Sequence, residues 1–280
     1  MYFLMQSGGR YSTACRTICC RWPLRTCDTC SQNVDCIYFR VFSQELSNDP
    51  EAVRRHQKPP LPFAFSFFPD SQNCCLDCRL VVVGGAIHSL EFLLQGFEEL
   101  IGCLEVGLCT RIRAISTRNY MGDVLSLGST SHIKHPENLM VLSVSDIVKN
   151  RSWVHRSVTL QLFSPLRILS DKHQIRTFQF GLFIRSIIRR VTAIACCYGD
   201  CDVTADFKKL ALLSHETRSV SESFTFSSLP GGSIKLSGIV GEGSFTGEFS
   251  DIIPFLILGS YLNVGKGASF GMGSYTLTMD

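Results

Sequence analysis

The chain has 280 residues, of which 45% are hydrophobic and 18% charged. That balance excludes a disordered polyelectrolyte and leaves room for two domains of ordinary size. The formal net charge of +3 excludes a general polycation, so any nucleic-acid partner must be held by a local basic surface. No apolar run reaches the roughly 18 uninterrupted residues of a membrane span. Fourteen cysteines include the adjacent pairs Cys19-Cys20, Cys74-Cys75 and Cys196-Cys197, an awkward layout for a disulfide framework. Met1 to Met5 is too short for the apolar stretch of a secretory leader. The expectation is a cytoplasmic protein with reduced thiols and no membrane partner.

In chain order, the spacing predicts a strand stub at Tyr2 to Met5 and a short helix over Arg10 to Cys20. Cys20, Cys27, Cys30 and Cys36 then form C-x6-C-x2-C-x5-C, with Cys15 and Cys19 as alternates. Four thiols this close suit a tetrahedral structural zinc site. An iron–sulfur cluster has the same ligand needs, and a set of free thiols is the plain alternative. Arg54 to Pro60 is a basic connection. Phe63 to Phe68 reads as a core strand between Pro62 and Pro69, and Arg79 to Val83 as its partner. The second C-x2-C, Cys75 and Cys78, has no obvious partner pair. Ser89 to Leu104 is an amphipathic helix, followed by a short loop holding Gly107 and a strand over Arg111 to Ser116. Gly122 to Asn150, with its Gly, Ser, His and Pro, is expected to be a linker.

From residue 151 the pattern is clearer. Trp153 to Leu169 alternates like a strand, and Arg176 to Tyr198 carries an apolar stripe at helical spacing with Arg185, Arg189 and Arg190 as polar positions. After a loop come strands at Phe224 to Ser228 and Ser233 to Phe249, divided by the turn Pro230-Gly231-Gly232. Asp251 to Leu262 is a short helix, and Ser274 to Met279 a last strand. Both halves therefore follow β-α-β-β-α-β, and the fold class expected is α+β: two tandem ferredoxin-like domains, residues 1–121 and 151–280.

Between the last helix and strand lie Gly265, Gly267, Gly271 and Gly273 with Lys266 among them. Such a loop frees backbone N–H groups for a phosphate and adds a cation. A dinucleotide-binding loop follows a strand and opens a helix, the reverse of this order, and no Gly-Lys-Ser/Thr stands in frame for a P-loop.

This tail, LNVGKGASFGMGSYTL, resembles the glycine-rich carboxy-terminal motif of the CRISPR repeat-RNA processing endoribonucleases of the RAMP superfamily. Phe163-Ser164-Pro165-Leu166-Arg167, Leu182 to Arg190, and Val81 to Gly107 are similar to further parts of that family. The resemblance implies two ferredoxin-like domains, binding of CRISPR repeat RNA and of other Cas subunits, and cleavage by 2′-OH attack with no catalytic cofactor. It implies phosphate contacts from Arg10, Lys266 and the loop glycines, with Arg167, Arg185 and Arg189 extending a basic surface. Relatives carry a base histidine near the first helix, where this chain has none. His56 and then Tyr11 are its stand-ins, and Asn263 stands where relatives often have histidine. Asparagine cannot transfer a proton near neutral pH, so a non-catalytic RNA-binding subunit of an effector complex is the alternative.

Overall fold

The computed structural model describes residues 8–21, 26–44, 58–70, 75–103, 111–149, 155–199, 203–229 and 236–279. The expected strand at Tyr2 to Met5, the loop around Gly107, the turn at 230–232 and His56 lie outside them. Two compact units emerge: one joins Leu46–Gly84 to Arg151–Asp280, the other joins Gly8–Glu45 to Gly85–Asn150. The compact units thus differ from a division at 121 and 151, because the first hairpin of the chain packs with the carboxy-terminal half.

In the smaller unit, α1 (Gly8–Cys19) packs on α3 (Leu90–Gly102). Cys15 meets Gly96, where a side chain would collide with its sulfur, so glycine sets how closely the two helices approach. Between them in sequence lies α2 (Ile37–Phe42). The expected strand at 111–116 is instead β3 (Ile115–Arg118), paired with β4 (Val124–Gly128) inside the presumed linker. The Asn119 side chain makes that hairpin by accepting from the amides of Met121 and Asp123. The following residues are tied to α3, since Glu98 accepts from the Ser131 amide at 3.0 Å and Glu91 from that of Ile133 at 2.8 Å. α4 (Val144–Lys149) ends the unit.

The larger unit is built on a five-stranded antiparallel sheet. β5 (Ser157–Leu166) turns Val158, Leu160 and Leu162 into the core, as its alternation predicts. The two-residue strands β6 (Leu169–Ser170) and β7 (His173–Gln174) lead to α5 (Phe180–Tyr198), which buries Phe183, Ile184, Ile187, Val191 and Ile194 at helical spacing. The segment expected as a loop holds α6 (Phe207–Glu216) and β8 (Arg218–Glu222). Asp206 caps α6 by accepting from the Lys208 and Lys209 amides. β9 (Thr225–Leu229) and β8 pair with opposite halves of β10 (Leu236–Thr246), so together they act as one edge strand broken at Ser223-Phe224. The break faces Gly241, whose φ of +121° and close approach to the Ser223 carbonyl admit no side chain. α7 (Ile253–Leu262) and β11 (Tyr275–Met279) complete the order β11-β5-β10-β8/β9. That is the ferredoxin-like arrangement 4-1-3-2, with α5 against α7.

α7 begins two residues later than expected and without a side-chain cap. It is apolar all round because it is covered on several sides. One of its neighbours is β1 (Phe63–Asp70), which pairs with β2 (Cys75–Val82). Phe63, Phe65 and Phe67 are buried as expected of a core strand, but Ala64 and Ser66 between them are buried as well. A strand covered on both faces needs neighbours from far away in sequence, and here they come from residues beyond 155. Phe63 meets Phe270 edge-on at 5.9 Å, and Phe68 meets Phe163 at 5.8 Å.

Candidate nucleic-acid interface

The loop from Asn263 to Ser274 is shaped by five left-handed residues: Asn263 (φ +57°), Gly265, Gly267, Gly271 and Gly273. At Gly273 a Cβ would run into the Val264 carbonyl, and at Gly265 into that of Arg167. Both close approaches are used. The Val264 amide donates to the Gly273 carbonyl at 3.1 Å, and the Lys266 amide to the Arg167 carbonyl at 2.8 Å. The Gly273 amide reaches Pro165, so the loop is riveted to the end of β5 at two points.

Asn263 is the hub beneath it. Fully buried, its Nδ2 donates to the carbonyls of Phe65 (2.6 Å) and Ala268 (2.9 Å), and its Oδ1 accepts from the Ser66 hydroxyl at 2.9 Å. Arg79 closes the arrangement, donating to the Ser66 hydroxyl and, at 2.7 Å, to the Ser260 carbonyl. A side chain so enclosed does not reach solvent. Its polar atoms hold loop, α7 and β1 together.

Arg190, expected on the polar face of α5, instead turns under the loop. Its Nε donates to the Leu262 carbonyl at 2.8 Å and its Nη2 to the Ser269 hydroxyl. Desolvation pushes its pKa down to about 10, which still leaves it charged at neutral pH. The cation sits at the carboxy-terminal end of α7, where the helix dipole favours it.

The expected row of free loop amides is narrower than the glycine pattern suggests. The amides of Val264, Lys266, Ala268 and Phe270 to Gly273 donate within the protein, whereas those of Gly265 and Gly267 make no hydrogen bond among the described residues. Lys266 stands exposed between them. Gly271 and Gly273 are buried, so they shape the loop and touch no solvent. The surface part of the site is therefore Gly265-Lys266-Gly267, with Arg167, the residue after β5, half-buried alongside and bridged to Gly265. An exposed cation between two amides with no partner among the described residues is chemically suited to an anion.

The other expected site residues fall elsewhere. Arg185 and Arg189 are exposed but line a broad groove between α5 and α6 with Thr192, His215 and Glu222, which the loop does not enter. Arg10 is exposed on α1 in the smaller unit. Tyr11, expected as a proton-transfer candidate, is 2% exposed and its hydroxyl donates to the Leu93 carbonyl at 2.8 Å. It is a core residue joining α1 to α3, and that assignment is corrected. Cys20, Cys27, Cys30 and Cys36 face one small cavity with Arg16 and Tyr38. They do not close into a coordination shell, for no three His, Cys, Asp or Glu side chains among the described residues are grouped to hold an ion. Cys15 is fully buried between α1 and α3 and does not line that cavity.

Sequence reasoning missed Asn263 as a hub, Arg190 as a prop and His215 in the groove. A signal existed for the first: Ser66, the single polar residue in the run Phe63 to Phe68, had to have a buried partner.

Residues 160–275 match the family model of the CRISPR-associated endoribonuclease Cas6. That segment is similar to the Cas6 family over less than half of the chain. It holds most of β5, the elements from α5 to α7 and the whole glycine loop, stops at the first residue of β11, and the family it matches is one of CRISPR-associated endoribonucleases. Residues 9–121 match a second model, the AF_1859 N-terminal domain. Among solved structures, a Cas6 product complex is 17% identical with a TM-score of 0.53, covering 81% of this chain and 89% of that one. Thermus thermophilus Cas6 is 14% identical with a TM-score of 0.51, covering 82% and 85%. A product complex of that Thermus protein is 15% identical at 0.52, covering 86% and 89%. At these identities the likeness is one of fold, and the fold shared is the double ferredoxin-like one. No curated protein matches the chain in sequence. Among the described residues no helix is long and apolar enough to cross a membrane.

Proposed function

We propose that this chain binds CRISPR repeat RNA, cuts it by attack of a ribose 2′-OH on the adjacent phosphate, and keeps the 3′ hairpin of its product. The observation that carries the proposal is the Gly265-Lys266-Gly267 stretch, presented by a loop that Asn263 and Arg190 hold from beneath, in a segment similar to the Cas6 family. In this reaction the 2′-oxygen attacks phosphorus, the bond to the 5′-oxygen breaks, and the product ends in a 2′,3′-cyclic phosphate. The reaction needs a base, an acid for the leaving oxygen, and positive or N–H-rich surroundings for the phosphate. Lys266 and the two open amides supply the last of these, with Arg167 beside them. Proton transfer is assigned to His56, in the basic segment 54–60. No catalytic cofactor is required, and other Cas subunits are the expected protein partners in the cytoplasm.

Incubation of the protein with its cognate repeat RNA in EDTA tests this. A single cut ending in a 2′,3′-cyclic phosphate is expected, and a cut that appears only when a divalent ion is added overturns the metal-free mechanism. A second reading, a subunit that binds guide RNA without cutting it, is favoured by one observation. Tyr11 and Asn263, the polar residues nearest the positions where relatives carry histidine, are both locked in the core. Tight binding with the RNA left intact would establish that reading instead.

A further inference from the structure

The segment from Cys20 to Cys36 links α1 to α2 through a 3-10 turn at Cys27–Thr29 and a second turn at residues 31–35. Its burial pattern is unusual for a protein interior. Among its described residues, the side chains not exposed are Cys20, Cys27, Cys30, Asn33 and Cys36, while its one aliphatic side chain there, Val34, is 78% exposed. The segment thus turns its thiols inward and its apolar group outward. A chain folded by the hydrophobic effect does the reverse. The described residues of the segment thus supply no apolar core of their own, and short segments of that kind are commonly held by a metal or by disulfides.

The geometry converges on one place. All four thiols line the same small cavity, Arg16 of α1 lies beside Cys20 and Cys27, and Tyr38 of α2 forms another wall. The backbone positions the ligands in sequence, because the Cys30 amide donates to the Cys27 carbonyl, Asn33 to Cys30, and Cys36 to Asn33. Cys27 and Cys30 thus sit at the two ends of a tight turn, the C-x2-C geometry that grips zinc. From these placements we infer that Cys20, Cys27, Cys30 and Cys36 bind one zinc ion as thiolates and that this ion fixes the turns between α1 and α2. Binding releases the thiol protons and forms four Zn–S bonds with no change of oxidation state. A four-thiolate zinc centre carries a net charge of −2, and Arg16 offsets part of it. With four protein ligands no position stays open for water, so the site is structural. Without the ion the four thiols are not grouped closely enough to hold it, so binding requires them to draw together. Cys19, exposed beside Cys36, is the nearest thiol outside the set.

The test uses the full chain, purified under reducing conditions, with metal content measured by mass spectrometry. One zinc per chain is expected in the wild type and in Cys75→Ser/Cys78→Ser, which alters the other C-x2-C, and none in Cys27→Ser/Cys30→Ser. Because that last variant could fail to fold, the wild-type protein is also stripped with a chelator and titrated with Co²⁺. Visible ligand-field bands of tetrahedral cobalt with thiolate charge transfer, bleached by Zn²⁺, are expected at one equivalent, with protection of residues 20–36 from proteolysis. A zinc-free wild-type chain without a cobalt spectrum overturns the inference. So do stoichiometric iron, disulfides among these cysteines, and zinc that survives Cys27→Ser/Cys30→Ser.

Discussion

Asn263 makes three buried hydrogen bonds from one short side chain, two as donor and one as acceptor. A neutral histidine carries one donor and one acceptor, so it cannot reproduce that set. Asn263→Ala should lower stability by about 3 kcal/mol, since it strands the Ser66 hydroxyl and two carbonyls. A drop in the urea midpoint at unchanged slope would show it, and a drop under about 0.5 kcal/mol would mean that the hub is not needed. Lys266 behaves differently because its side chain is exposed. Lys266→Ala should leave stability unchanged and weaken repeat-RNA binding, lowering the slope of log K against log salt by about 0.7 for a single-stranded contact. An unaltered slope would remove the lysine from the interface. His56→Ala should abolish cleavage while keeping the affinity for RNA, and a normal cutting rate would clear His56 of any proton transfer. At this scale the sequence exposed residue types but hid their surroundings. Tyr11 and Asn263 looked available because nothing local says that Leu93 or Phe65 would cover them.

Among the elements, those whose order follows from local pattern were legible: α5 from its apolar stripe, β5 from its alternation, and the succession of α7, glycine loop and β11. α6 was not, because only Leu210 and Ser214 of its ten residues are buried, which leaves almost no stripe to read. Its start was signalled by Asp206, a capping residue ahead of Phe207-Lys208-Lys209. β1 and β2 were read as a pair, but their allegiance to the carboxy-terminal half was invisible, because a strand's apolar residues do not say which surface will cover them. The loop itself gives a prediction for an element. Gly265→Ala sets a methyl group against the Arg167 carbonyl at φ +85°, so the strand bridge must open. Weaker RNA binding is expected at nearly unchanged helix content, measured by binding assay and circular dichroism on one sample. Equal affinity would show that the riveting of the loop to β5 is dispensable.

For the molecule as a whole, a fragment of residues 151–280 looks like a domain by sequence but lacks β1 and β2. It would expose one side of α7 and leave Asn263 without Phe65 and Ser66. The isolated fragment should therefore melt earlier and less cooperatively than the intact chain, and one that includes residues 58–84 should recover much of the loss; a sharp transition in the fragment alone would refute this. Alkaline pH offers a second probe. Burial raises the Tyr198 phenol to about 12, and its hydroxyl donates to the Pro60 carbonyl, another link from the hairpin region to α5. The folded state holds this proton more tightly than the unfolded chain, so the stabilisation is complete below pH 10 and is lost as pH rises towards 12. Tyr198→Phe should flatten the fall in stability across that window, and an unchanged profile would count against the assignment.

The bonds between Asn263 and the first hairpin span 197 and 198 residues of sequence. On a ribosome adding roughly 5–20 residues per second, the phenylalanine run of β1 is made some 10–40 seconds before the asparagine that anchors against it. Throughout that interval the nascent chain carries a bare, phenylalanine-rich β-segment, a natural client for a chaperone and a starting point for aggregation. The loop acquires its final shape only after Asn263 has been made and has met Phe65 and Ser66. Slow synthesis or a hot culture should therefore reduce the soluble yield of this chain before it affects any measurable property of the folded protein.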